Sequence, residues 1–123
     1  MAPYIASKFA VAGLTESLHY ELQGIQSPVK ISLLVPGPVN GTAILEGAAV
    51  IRTQDEQSER FIESLREAQQ GGLSPEEFAR RVFDSISKGE YWIVPQSEYL
   101  NSMVRERSHL ILQRAEPRSP IGD

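Results

Sequence analysis

The stretch VKISLLVPGPV, residues 29–39, decides the fold. Val29 to Val35 is a short, nearly unbroken apolar run rich in branched residues, and Pro36 stops it. Such a run predicts a strand buried on both faces, as in a parallel sheet. The segment before it, Pro3 to about Gln23, places Ile5, Phe9, Leu14, Leu18 and Leu22 at roughly helical spacing. Pro3 suits a first turn, where no backbone N–H is needed. Gly24 fits the left-handed residue just past a helix end. Ala6, Ala10, Ala12 and Gly13 fill a neighbouring face and would let another helix approach closely.

After the strand, GPVNGTAILEGAAVIR (37–52) reads as an irregular loop. Thr53 and Glu56 then form a capping-box pattern, and Phe61, Ile62, Leu65 and Ala68 make an apolar stripe before Gly71–Gly72. LSPEEFARRVFDSISKG (73–89) starts a second helix, with Ser74 as cap, Pro75 first and Glu77 reaching back. Phe78, Val82, Phe83 and Ile86 face one way, and Gly89 ends it. EYWIVP (90–95) is a second short buried-type strand, with Trp92 expected in the core. A last helix is expected from about Glu98 to Ala115, and EPRSPIGD is expected to fray.

The order is helix, strand, loop with helix, helix, strand, helix. Strands separated by helices imply an α/β fold with a parallel sheet and right-handed crossovers. Two strands alone cannot stabilise such a sheet, which needs both faces covered and neighbours on its sides. The chain therefore reads as part of a larger doubly wound domain.

Composition narrows the function classes. The 123 residues are 41% hydrophobic and 23% charged, close to ordinary globular usage. A net charge of −4 without a basic patch argues against a nucleic-acid partner. No apolar run approaches the length of a membrane span, and no secretory leader is expected. Cysteine is absent, which excludes disulfides and thiolate metal sites, and His19 and His109 stand far apart without clustered ligands. No metal is expected, and cytoplasmic localisation is the default.

Chemistry points to PYIASKFAVAGL, residues 3–14. Tyr4 and Lys8, four apart, share one helix face. A phenol with a pKa near 10 is ionised in only about one molecule in a thousand at neutral pH. An ammonium neighbour and the positive end of a helix both favour its phenolate. A tuned phenol of this kind can give a proton to, or take one from, an oxygen that gains or loses a hydride. If the helix turns back into the strand, Tyr4 and Pro36–Gly37 share the carboxyl edge of the sheet, where open α/β sheets bind ligands. Gly37, lacking a side chain, would let a flat ligand approach the backbone.

Alone, a Tyr-x-x-x-Lys pair arises by chance about once in ten such chains. Here YIASKFAVAGLTESLHYEL followed by VKISLLVPGPV resembles the classical short-chain dehydrogenase/reductase family. The resemblance rests on Tyr4, Ala6, Ser7, Lys8, Gly13, Leu14, Leu18, Glu21 and Leu22, and on Pro36, Gly37 and Val39 in Pro-Gly-x-Val. It implies the C-terminal part of a Rossmann-like doubly wound sheet over residues 1–123, with a substrate lid over about 43–73. It implies NAD(P)-dependent hydride transfer between an alcohol and a carbonyl. Tyr4 would be the acid/base, and Lys8 would assist it and hold the nicotinamide ribose. Pro36, Gly37 and Val39 would wall the nicotinamide, with Val39 backbone groups meeting the carboxamide. The family's usual threonine two positions after that valine is Gly41 here; Thr42 is the candidate contact one position later. The first helix would pair subunits into a homo-oligomer. Ile44, Leu45 and Val50 suggest an apolar substrate wall.

No Gly-x-x-x-Gly-x-Gly or Gly-x-Gly-x-x-Gly turn occurs in these residues. The family's catalytic serine and asparagine would lie upstream of Met1. The expectation is a fragment, partial gene model or truncation, inactive by itself. The alternative is a non-catalytic homologue acting as a helix-mediated association module.

Overall fold

Local hydrogen bonding sets the ends of the helices. The computed structural model describes residues 2–43 and 56–118. The first helix, α1, runs Ala2–Gly24. Gln26, at φ 53°, takes the left-handed position expected of Gly24. Gln26 N–H donates to Gln23 O at 3.0 Å and Ser27 N–H to Leu22 O at 2.9 Å, the double closure that satisfies the last carbonyls. The helix therefore runs through Gly24, and the chain leaves it at Pro28.

β1 is Leu33–Leu34 and β2 is Trp92–Ile93. They are parallel, as predicted, with Leu33 opposite Trp92 and Leu34 opposite Ile93. Regular pairing is much shorter than the seven-residue run implied, because a strand is defined by its partner and only these residues meet one. Side chains paired across a ladder share a face. Each face of this ribbon thus carries one buried and one bare side chain. Leu33 is 9% exposed beside Trp92 at 52%, and Ile93 is 2% exposed beside Leu34 at 40%. Trp92 is not a core residue among the described residues: Ile93 takes the covered place, where α3 packs on β2.

α2 spans Glu56–Gln70, with Phe61, Ile62 and Ala68 half-buried. The predicted Thr53 cap and the apolar wall of Ile44, Leu45 and Val50 lie outside the described residues. α3 spans Pro75–Lys88 and begins as read, with Ser74 Oγ accepting from Glu77 N–H at 3.2 Å and Pro75 at its start. The Glu77 carboxylate does not reach back. It takes Arg80 Nε and Nη2 at 2.7 Å each and Arg81 Nε at 2.8 Å, because bonds between charged partners outweigh one to a neutral amide. Gly89, at φ 70°, closes the helix as predicted. α4 spans Ser97–Gln113 and ends on Arg114, also left-handed, two residues earlier than read.

Two contacts hold α1 to the rest of the chain. His19 lies against Tyr91 at the start of β2, with ring centroids 4.7 Å apart. Arg107, on the helix that leaves the end of β2, lies over Phe9, 4.9 Å from the ring centroid. The later half of α1 thus meets the start of β2, and its earlier half meets α4. No residue of α1 is buried, and Leu14 is 71% exposed. No described helix is long and apolar enough to cross a membrane.

Candidate active site

Beyond β1, the bend Pro36–Val39 is held from one side. Val35 N–H still pairs with Ile93 O at 2.9 Å. The Pro38 carbonyl then accepts Leu73 N–H at 3.2 Å, and Leu73 O accepts Asn40 N–H at 2.8 Å. These bonds make Val39 and Leu73 a parallel bridge. Both peptide units flanking Val39 are held by Leu73, so the valine's own N–H and C=O point the other way. Among the described residues that N–H donates to no group, and the carbonyl takes the Thr42 hydroxyl at 3.3 Å. One donor and one acceptor side by side match the hydrogen-bonding edge of a carboxamide.

Gln96, 5% exposed, which sequence reading did not single out, joins Leu73 on the Pro38 carbonyl. Its Nε2 donates to Pro38 O, and its Oε1 is buried with no partner among the described residues. A Cβ on Gly37 would stand 2.6 Å from that oxygen. The space left by the missing side chain at Gly37 is therefore filled by Gln96, and a ligand would have to approach the backbone elsewhere along the bend. Gly72 is similarly constrained, since a Cβ there would lie 2.5 Å from Pro38 O. Neither neighbour is visible in the local pattern: Gln96 follows a strand with no motif around it.

Thr42 belongs to the same loop. Its hydroxyl and carbonyl accept Gln69 Nε2 from α2 at 2.8 and 2.6 Å. Gly41 has φ 68°, a left-handed conformation that a β-branched residue adopts only with strain. The local backbone thus accounts for a threonine at 42 and a glycine at 41.

Tyr4 and Lys8 lie in the first turns of α1, exposed, with the ammonium 5.2 Å from the centroid of the tyrosine ring. The lysine lies over the ring face. Ser7 Oγ donates to Tyr4 O at 2.6 Å. Among the described residues no hydrogen bond or ion pair links Tyr4 or Lys8 to residues 36–42.

A separate concavity of about 310 Å³ is lined by Glu16, His19, Tyr20, Tyr91 and Trp92. It lies at the start of β2, away from the bend. Burial, then the neighbouring Glu16 and Tyr20, pushes the Tyr91 phenol up.

A parallel ribbon, a preceding helix headed by Tyr-x-x-x-Lys, and a Pro-Gly-x-Val bend bridged to Leu73 define part of a Rossmann-like α/β domain. The chain belongs to the short-chain dehydrogenase/reductase family. It is 34% identical over 91 residues to the protein named "Putative oxidoreductase SadH" in Mycobacterium tuberculosis, from strains CDC 1551 / Oshkosh and ATCC 25618 / H37Rv. The match covers 74% of this chain and 32% of that relative. The fold is also similar to the crystal structure of a short-chain dehydrogenase/reductase from Burkholderia phymatum in complex with NAD, with TM-score 0.81 and 28% identity. That likeness covers 98% of this chain and 45% of the other. The chain thus spans about a third of the curated relatives' length and under half of the solved structure's. No family model matches it.

Proposed function

We propose that this chain carries the proton-transfer and nicotinamide-facing part of an NAD(P)-dependent oxidoreductase that interconverts an alcohol and a carbonyl. The observation that carries the reading is the Val39 backbone, whose N–H and C=O face away from Leu73 as a ready carboxamide partner. Lengths support it. At roughly 1.5 Å per residue, the helix from His19 back to Tyr4 measures about 22 Å. The extended run from Tyr91 to Gln96 measures about 17 Å. With His19 on Tyr91, an α1 running antiparallel to β2 would bring its head to the level of the bend.

A bound nicotinamide would supply or accept the hydride. The Tyr4 hydroxyl would give a proton to the substrate oxygen in reduction and take one in oxidation. The Lys8 ammonium, on the same helix face, would stabilise the deprotonated phenol and donate to the ribose hydroxyls. Pro36, Gly37 and Thr42 would keep the wall in shape. We read the bare apolar residues of α1 as an association face between copies, and residues from about 43 to 73 as the substrate side.

The test is nicotinamide-dependent carbonyl reduction by the protein expressed from its full reading frame. Tyr4→Phe should lower kcat by about a hundred- to ten-thousand-fold while cofactor affinity stays within about twofold. Lys8→Met should impair both. A Tyr4→Phe variant that keeps its wild-type rate would end the reading.

A further inference from the structure

We propose that Gln96 is a positioning residue that aims the Val39 N–H at the nicotinamide carboxamide, an inference that rests on the function proposed above. The Pro38 carbonyl and the Val39 N–H belong to one peptide unit. That unit is planar and trans, so its C=O and N–H point in opposite directions. Whatever holds the oxygen therefore sets where the hydrogen points. Two donors hold it, Leu73 N–H at 3.2 Å and the buried amide of Gln96.

Three segments far apart in sequence meet at this carbonyl: the bend after β1, the turn between α2 and α3, and the link from β2 to α4. Each contact depends on a glycine. Gly37 leaves room for the Gln96 side chain, and Gly72 lets the turn approach within the space a Cβ would occupy. Without the Gln96 donor, one backbone bond opposes rotation of the 38–39 peptide. That rotation would run through ψ of Pro38 and φ of Val39, and the proline ring fixes only its own φ. The cost would fall on the carboxamide contact, and the adenosine end of a dinucleotide would not sense it.

The experiment measures binding of NADH (or NADPH, whichever the wild type takes) and of the matching ADP-ribose, which lacks the nicotinamide. The protein is expressed from its full reading frame, as wild type, Gln96→Met and Gly72→Ala. Methionine keeps the length and volume of glutamine without its donor. Alanine at 72 would place its Cβ 2.5 Å from the Pro38 oxygen and so displace it. For Gln96→Met the dinucleotide should bind about tenfold more weakly, with ADP-ribose within about twofold. Gly72→Ala should show the same split. Equal losses for both ligands in both variants, or no loss at all, would overturn the proposal. A wild type that binds ADP-ribose and NADH alike, with no gain from the nicotinamide, would instead overturn the functional reading beneath it.

Discussion

Arg81 of α3 donates from Nη1 to the Pro95 carbonyl at 2.7 Å, tying that helix to the residue before Gln96. The same guanidinium holds Glu77 through Nε and lies 3.5 Å from Glu98. One planar side chain thus links the start of α3, the turn after β2 and the first turn of α4. Arg81→Met should lower thermal stability and speed amide exchange over Trp92–Gln96. Arg81→Lys should restore little, because a single ammonium cannot serve Nε and Nη1 partners in different directions. Unchanged exchange in Arg81→Met would show that packing alone holds this junction.

Acid should loosen the same region. Hydrogen bonds from Arg80 and then Arg81 lower the Glu77 carboxyl to about 2 from an ordinary 4.5. A folded-state value below the unfolded one gives stability that is complete above about pH 4.5 and lost as pH falls toward 2. Glu77→Gln should therefore be less stable than wild type at neutral pH, with the difference closing across that window in acid unfolding curves. Glu77 is solvent-accessible, so salt should shrink the difference. A gap that persists at pH 2 would assign the effect to packing.

Gly41→Thr installs the residue usual for the family and should nevertheless destabilise this chain. At φ 68° a β-branched side chain crowds the carbonyl that follows it, at a cost of about 1–2 kcal/mol. Denaturant unfolding of Gly41→Thr against Gly41→Asn separates the backbone effect from loss of glycine itself, since asparagine tolerates this conformation. Equal stability of the two variants would mean that the turn relaxes to another conformation.

The candidate site residues named from the sequence are joined by short-range relations. Tyr4 and Lys8 are one helical turn apart, and Pro36, Gly37 and Val39 are neighbours on a bend. Ser74 and Gly89 mark the ends of α3 because caps are made within a few residues of themselves. Each of these is a short-range relation, fixed by the rise of a helix or the reach of a side chain to its own backbone.

The structure alone decided the long-range relations. Gln96 settles against Gly37 from 59 positions away, Leu73 bonds to Pro38 across 35, and Trp92 stays half exposed while Ile93 is covered. The left-handed residue after α1 is Gln26 rather than Gly24, and Glu77 preferred two guanidiniums to the helix cap. Spacing along the chain says which groups can meet locally. Burial and peptide orientation depend on which distant segments arrive alongside, and a pattern of residue types does not encode that arrival.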